Sequence, residues 1–216
     1  MADAQGATSG GGAGLPGALR DVVAGMRSNP HVVDVTTTPL LTPDECVAIL
    51  ADLDPAGWGD MTVMVHDGAG GPPRPTAVPA VRRGRIRAVP GGAHGPLATR
   101  IATRVHEVNR DVYRFRVVGV EDEMRVLWYG SEERGGYVAH ADIGPASPMR
   151  KLSFSLLLSD PDTYEGGDLC FDGPFPLARV QGTLTVFPSF LSHSVSPVTA
   201  GDRFAIVGFV LGPTFT

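Results

Sequence analysis

The second half of the chain is a series of short apolar runs separated by turn residues, and this pattern constrains the fold more than any other feature. The runs are rich in Val, Phe, Tyr, Leu and Ile, and they cover residues 112–120, 124–129, 137–142, 152–158, 168–171, 177–180, 183–187 and 203–211. Runs of this length and composition predict β-strands. Two glycines between Glu165 and Asp168 predict a hairpin turn between two of them. Eight or so short strands in one domain predict a mostly β fold with flanking helices, a double-stranded β-helix (jelly roll).

The first half of the chain carries the helices that we expect to pack on one sheet. Thr42 predicts an N-cap, because Pro43 suits the first helical position and Glu45 can complete a capping box. Apolar residues then recur at helical spacing as far as Leu53, and they do so again over 97–110. The other predicted elements are a helix over 15–26 and strands over 31–36 and 61–65.

Glycine and proline are unusually frequent, with 28 and 19 residues among 216. Both residues interrupt helix interiors, so this composition argues against a helical bundle. A chain of this length normally folds as one domain. We therefore expect a disordered, Ala/Gly/Ser-rich tail over residues 1–14 and a single domain over residues 15–216.

Residues 66–96 differ in composition from the rest of the domain, with seven Gly, six Pro and five Arg against one Asp. Such a segment cannot build a core, and it predicts a long flexible loop. Two interpretations stay open for it. The loop is either a solvated linker or a lid that closes over an active site and excludes water from it.

Charge and cysteine content exclude several classes of protein. The formal net charge of −5 gives no reason to expect nucleic acid as a partner. No stretch of 18 uncharged apolar residues is present, so no membrane span is expected. Cys46 and Cys170 form no C-x-x-C pair, and the N-terminus does not resemble a secretory signal. These features predict a cytoplasmic protein, whose oligomeric state the sequence leaves open.

Three residues have the types and spacing of an iron site. His140 and Asp142 lie two apart on a predicted strand, so their side chains share one face, and His193 follows a later apolar strand. Two neutral imidazoles and one carboxylate leave three positions open on an octahedral metal, as in non-haem Fe(II) oxygenases. An H-x-D pair alone is common. Arg203 strengthens the interpretation, because a guanidinium at the start of a buried strand is suited to binding a carboxylate.

The stretch from Leu127 to Leu211 resembles the 2-oxoglutarate/Fe(II)-dependent dioxygenase superfamily, and in particular its prolyl-4-hydroxylase-like branch with the bacterial PKHD-type hydroxylases. The resemblance covers about 85 residues, near 40% of the chain. The matching motifs, in order, are Tyr129, Tyr137-x-x-His140-x-Asp142, Leu152 to Pro161, Tyr164-Glu165-Gly166-Gly167-Asp168-Leu169, Gly182 to Ser189, and His193 to Arg203.

The resemblance implies Fe(II) bound by His140, Asp142 and His193, with 2-oxoglutarate as co-substrate and Arg203 pairing with its distal carboxylate. It also implies that O2 and 2-oxoglutarate are converted to succinate and CO2 while a C–H bond is hydroxylated, with ascorbate as the reductant in assays. Tyr129 matches a tyrosine that often binds the same carboxylate, although it could equally be a packed strand aromatic. We also assign Ser155 to the co-substrate, with simple lining of the barrel as the alternative.

The substrate is expected to be an amino acid, a peptide or an amino-acid-derived natural product, either free or bound to a carrier. Arg82, Arg83 and Arg150 are the candidates for binding an anionic group on it. Two other functions stay open. A non-catalytic or metal-sensing jelly-roll module would not need the full set of ligands plus Arg203. A cupin-type metal enzyme that does not use 2-oxoglutarate would usually carry an H-x-H pair, which this sequence lacks.

Overall fold

The computed structural model describes residues 35–53, 55–65, 71–89, 95–121, 123–171 and 175–215. The predicted tail over 1–14, the predicted helix over 15–26 and most of the predicted strand over 31–36 lie outside these ranges. Among the described residues, neither helix has the length and hydrophobicity of a membrane span.

The described residues form two α-helices, α1 (Pro43–Ala51) and α2 (Pro96–Val108), and α2 continues into one π-helical turn, Asn109–Tyr113. The predicted capping box of α1 is confirmed. The Glu45 backbone N–H donates to Thr42 Oγ1 at 3.2 Å, and the Thr42 N–H donates to Glu45 Oε2 at 2.8 Å. These bonds satisfy two of the N–H groups that have no partner at a helix start, and so fix where α1 begins.

The strands in the described part of the chain form two main sheets and one small hairpin. In chain order they are β1 (Thr36–Pro39), β2 (Gly59–Asp60), β3 (Val63–Val65), β4 (Arg74–Thr76), β5 (Arg82–Arg83), β6 (Arg85–Ala88), β7 (Gly119–Val120), β8 (Arg125–Gly130), β9 (Gly136–His140), β10 (Arg150–Leu157), β11 (Tyr164–Glu165), β12 (Leu169–Phe171), β13 (Phe175–Pro176), β14 (Thr183–Pro188), β15 (His193–Val195) and β16 (Ala200–Leu211). The major sheet has the order β1-β14-β10-β16-β8-β6-β2, with β7 and β11 also pairing with β16. The minor sheet has the order β13-β12-β15-β9-β5, and β3 pairs with β4.

The major sheet separates two clusters of buried side chains. On one face, residues such as Leu152, Leu156 and Ile206 pack with Ile101 and Val105 of α2. On the other face, Leu127 and Tyr129 of β8 pack with residues of the minor sheet and its flanking loops, including Tyr137, Val195 and Val198. Two sheets packed face to face with helices outside one of them confirm the predicted jelly roll, mostly β with flanking helices.

The predicted strand over 112–120 is largely wrong. Only Gly119–Val120 pairs with the sheet, and the segment starts in the π-helical turn. The Asn109 side chain explains the difference, since its Oδ1 accepts from the Phe115 N–H and its Nδ2 donates to the Phe115 carbonyl, both at 3.0 Å. These bonds occupy the backbone groups that a strand would use for pairing. The predicted strand over 177–180 is also absent, and β13 precedes it.

Residues 66–96 contain more regular structure than their composition predicts. Among the residues of this segment that the structure describes, β4 forms a hairpin with β3, β5 pairs with β9, and β6 pairs with both β2 and β8. Strands β5 and β6 pair with strands from distant parts of the chain, so this segment does not need a hydrophobic core of its own. The lid function stays a prediction.

Gly166 and Gly167 do form a tight turn, but it is not the predicted hairpin. β11 pairs with β16 of the major sheet and β12 pairs with β13 and β15 of the minor sheet, so the turn carries the chain from one sheet to the other. Gly166 has a φ of +70°, and a Cβ there would lie 2.1 Å from the Pro197 carbonyl oxygen. This crossover therefore requires glycine for both conformation and space.

We predict that Gly166→Ala lowers the free energy of unfolding by more than about 2 kcal/mol, because it combines a left-handed backbone with a steric clash. Gly57→Ala is the matched control, since Gly57 has a φ of +89° but, apart from its chain neighbours, no atom of the described residues lies within 4 Å of the added Cβ. The control should cost about 1 kcal/mol. Urea denaturation of both variants measures the difference, and equal losses would contradict the assigned clash.

Candidate metal centre and active-site cavity

The two predicted histidine ligands lie on neighbouring strands of the minor sheet. His140 ends β9 and His193 begins β15, and the two residues are opposite each other in the antiparallel register. Asp142 follows β9 by two residues, and its backbone N–H donates to the Ser189 carbonyl at 2.9 Å. The pairing of strands thus brings His193 to His140 and Asp142, which precede it by more than 50 positions in the sequence.

The three side chains converge on one point. His140 Nε2 lies 3.5 Å from Asp142 Oδ1, and His193 Nε2 lies 3.4 Å from Asp142 Oδ2. One ligand atom from each residue can be chosen so that all three lie within 4.8 Å of one another. Two imidazole nitrogens and a carboxylate oxygen at this spacing fit a facial site for Fe(II), in which three positions stay open for other ligands.

Both imidazole rings are held in the orientation that metal binding needs. His140 Nδ1 lies 2.9 Å from the Val138 carbonyl oxygen, and His193 Nδ1 lies 3.0 Å from the Leu191 carbonyl oxygen. Because a carbonyl can only accept, each Nδ1 carries the hydrogen and each Nε2 keeps its lone pair. The backbone therefore selects the tautomer that presents Nε2 to a metal.

Ser153 of β10 supports the carboxylate from the major sheet. Its Oγ donates to Asp142 Oδ2 at 2.6 Å and lies 3.0 Å from the Ser189 Oγ. One oxygen of Asp142 is thus bonded by a buried hydroxyl, which restricts how the carboxylate can turn toward a bound metal.

The ionisation states suit metal binding. Burial lowers the pKa of His193, and the charges of His140 and Arg82 lower it further against the opposing effect of Asp142. Burial by itself would raise the pKa of Asp142, but the nearby imidazoles of His140 and His193 and the hydrogen bond from the Ser153 hydroxyl hold that pKa below its ordinary value. A neutral imidazole and an ionised carboxylate are the forms that ligate a metal.

The three residues open into a cavity of about 510 Å³ between the two sheets. Tyr137 forms part of its wall, and the Tyr137 ring stacks on the His140 imidazole with centroids 3.5 Å apart. Burial raises the pKa of Tyr137, so its phenol stays protonated at neutral pH. A cavity of this size is in the range that binds small molecules.

Arg203 lies in the same cavity and is 4% exposed. Tyr129 is opposite it in the β8–β16 register, and the Arg203 Cζ lies 5.8 Å from the centre of the Tyr129 ring. No carboxylate among the described residues lies within salt-bridge distance of this guanidinium. Arg203 and Ser155 also line a smaller adjoining cavity of about 30 Å³, together with Thr185 and the buried Tyr164, whose hydroxyl has no hydrogen-bond partner among the described residues. A buried cation that shares a cavity with hydroxyl groups is suited to binding an anion.

The structure separates the three arginines that were predicted to bind substrate. Arg82 and Arg150 line the large cavity, whereas Arg83 does not and instead donates to the Glu133 carbonyl at 2.8 Å. Arg82 and Arg83 are consecutive strand residues, so their side chains point to opposite faces of the minor sheet. Arg150 is already bound, because its Nη2 lies 3.2 Å from Glu121 Oε2.

Two residues of the site make contacts that the sequence did not predict. Tyr137 belongs to the motif around His140, but regular alternation would place residues three apart on opposite faces of β9. A bulge between β9 and β15 brings Tyr137 and His140 to the same face. Ser153 shares a strand face with Ser155, so alternation along β10 identifies it as a cavity residue but not as the partner of Asp142.

Sequence comparison finds similarity to bacterial PKHD-type hydroxylases. The chain is 47% identical over 62 residues to one from Maricaulis maris, covering 27% of this chain and 28% of that protein. It is 33% identical over 138 residues to one from Hyphomonas neptunium, covering 57% of this chain and 61% of that protein. The matches thus span about three fifths or less of these relatives. No family model matches the chain.

Structure comparison finds prolyl hydroxylases. A prolyl-4-hydroxylase from Pseudomonas putida matches with a TM-score of 0.58 and 19% identity, covering 90% of this chain and 99% of that one. A prolyl hydroxylase from Trichoplax adhaerens, in complex with a hypoxia inducible factor peptide fragment, matches with a TM-score of 0.63 and 18% identity over 88% and 87% of the two chains. The predicted resemblance and the predicted fold are both confirmed.

We predict that Ser153→Ala weakens metal binding by about 10- to 100-fold, because it removes the hydroxyl that orients Asp142. Ser155→Ala is the matched control, since Ser155 lies on the same strand face but makes no hydrogen bond to a ligand. Titration of the metal-free protein with Co(II), without 2-oxoglutarate, reports the affinity through visible absorbance. Equal Co(II) affinities for both variants would contradict the role of Ser153 in orienting Asp142.

Proposed function

We propose that the protein is an Fe(II)- and 2-oxoglutarate-dependent dioxygenase that hydroxylates a C–H bond and converts 2-oxoglutarate and O2 to succinate and CO2. One observation carries the proposal. A facial triad of His140, Asp142 and His193 shares a cavity with Arg203, a buried guanidinium that no described carboxylate neutralises. The relatives named as PKHD-type hydroxylases support the same activity.

The triad would hold the iron through the two Nε2 atoms and the Asp142 carboxylate. Bound Fe(II) supplies the redox chemistry by which O2 oxidises 2-oxoglutarate and the substrate C–H bond. The protein contributes the fixed tautomers of His140 and His193 and the Ser153 bond that orients Asp142. The triad leaves room for a chelating co-substrate and O2, because it provides three ligands on one side.

Arg203 would bind the distal carboxylate of 2-oxoglutarate, with Tyr129 and Ser155 beside it. A guanidinium can form two parallel hydrogen bonds to a carboxylate, and the low exposure of this site strengthens them. A cupin-type enzyme without 2-oxoglutarate, or a non-catalytic module, would leave this buried charge without a counter-ion. The unpaired Arg203 therefore favours the oxygenase over both alternatives.

The substrate would be an amino acid, a peptide or an amino-acid-derived compound. The cavity of about 510 Å³ can hold the co-substrate and one side-chain-sized portion of a larger molecule. The Trichoplax prolyl hydroxylase was solved with a peptide fragment, which supports a substrate of this chemical class.

We expect the purified protein to form succinate from 2-oxoglutarate in the presence of Fe(II) and ascorbate, even without its prime substrate. Asp142→Ala and His193→Ala should abolish both succinate formation and the metal-to-ligand absorbance band that appears anaerobically with Fe(II) and 2-oxoglutarate. Val138→Ala is the control, because Val138 is a half-exposed residue of β9 close to the site. Absence of succinate and of the band in the unaltered protein would refute the proposal.

Arg203→Ala should raise the KM for 2-oxoglutarate by at least about 30-fold, because the carboxylate loses its buried partner. Arg203→Lys should raise this KM less, since lysine keeps the positive charge but lacks the planar guanidinium with its paired N–H donors. Arg125→Gln is the matched control, because Arg125 borders the same cavity but is paired with Glu123. An unchanged KM in Arg203→Ala would show that the co-substrate binds elsewhere.

A further inference from the structure

The cavity is rich in positive charge although the whole chain has a formal net charge of −5. Four arginine side chains line it, namely Arg82, Arg125, Arg150 and Arg203. Two of them are neutralised within the protein, Arg125 by Glu123 and Arg150 by Glu121. Within the described part of the chain, Arg82 and Arg203 have no carboxylate partner. The proposed function provides an anion for Arg203, and it leaves Arg82 unexplained.

Arg82 is held in place but is not saturated with hydrogen bonds. Its Nη1 donates to the Thr62 carbonyl at 3.3 Å, and its Cζ lies 4.7 Å from the centre of the Tyr137 ring. Its Nε is buried and has no acceptor among the described residues. The Nη2 group also has no acceptor among the described residues and, unlike Nε, is not enclosed by protein, so a ligand oxygen can reach it.

The position of Arg82 relates it directly to the metal site. Arg82 is opposite Tyr137 in the β5–β9 register, and the Tyr137 ring stacks on the imidazole of His140. One aromatic ring therefore separates this guanidinium from a metal ligand. A group bound by Arg82 would lie close to the reaction centre and on the minor-sheet side of the cavity, whereas Arg203 projects from the major sheet.

We propose that Arg82 binds a carboxylate of the prime substrate, so that the substrate is an amino acid or a peptide hydroxylated near its free carboxyl end. This inference rests on the proposed function, because it takes the triad as the reaction centre and assigns Arg203 to the co-substrate. A guanidinium with an unused N–H and a fixed ring stack recognises a planar carboxylate better than an uncharged amide. Of the two unpaired arginines of the cavity, Arg203 then binds the carboxylate of 2-oxoglutarate and Arg82 binds the carboxylate of the substrate.

Ligand-observed saturation-transfer NMR on the full chain with Zn(II) and 2-oxoglutarate tests this without turnover. Three pools are compared: the N-acetyl amino acids, their carboxamides, and the free amino acids. We expect signals from the N-acetyl acids, the free acids or both, and none from the carboxamides. Comparing the first and third pools distinguishes a peptide terminus from a free amino acid as the source of the carboxylate.

Arg82→Gln should weaken binding of the responding acids by about 10- to 100-fold, and Arg82→Lys should weaken it less. Arg83→Gln is the matched control, because the neighbouring side chain points away from the cavity and binds the Glu133 carbonyl. The control should keep the full signal, and the 2-oxoglutarate signal should persist in all three variants. That persistence also shows that the variants are folded.

The proposal is overturned if carboxamides bind as well as acids, if Arg82→Gln leaves the acid signals unchanged, or if no acid binds while 2-oxoglutarate does. The 2-oxoglutarate signal reports on the proposed function independently. If the 2-oxoglutarate signal is absent but acids bind and Arg82→Gln removes their signals, the assignment of Arg203 to the co-substrate is refuted and the carboxylate site at Arg82 is retained. Absence of both signals would refute both.

Discussion

The carboxylate of Asp142 is held from both sheets at once, and the arrangement of the site depends on this. The histidines that approach its two oxygens belong to the minor sheet, while the Ser153 hydroxyl and the Ser189 carbonyl that hold its side chain and backbone come from the major sheet and its end. A shift of one sheet against the other would break one set of contacts or the other. The packing of the sheets therefore sets the geometry of the three proposed metal ligands.

Alternation along the strands allows this polar site to coexist with an apolar core. On β10, Leu152 and Leu156 are fully buried in the core shared with the helices, while Ser153 and Ser155 face the cavity. On β16, the same alternation places Arg203 in the cavity. The apolar side of the sheet stabilises the fold, and the opposite side can then carry a buried charge that would be unfavourable without a ligand.

Much of the site could be predicted because each signal is local or depends on strand alternation. The spacing of His140 and Asp142, the capping box at Thr42 and the chemistry of Arg203 can all be identified in short windows of sequence. The strand over 112–120 was wrong for a local reason, the bonds of the Asn109 side chain, whereas two other errors arose where distant partners decide the structure. β5 and β6 form in a segment rich in Gly and Pro because β9 and β8 pair with them, and the Gly166 turn joins two sheets because its flanking strands find different neighbours.

The sequence by itself determined which residue types can bind iron and an anion, and on which strands they lie, because residue type and alternation are local properties. Only the tertiary structure decided which charges are neutralised. Arg150 and Arg125 form ion pairs with glutamates, and Arg83 points away from the cavity. Arg82 stacks on Tyr137 and has no carboxylate partner among the described residues. Ion pairing depends on distances between side chains remote in sequence, and those distances exist only once the two sheets have packed.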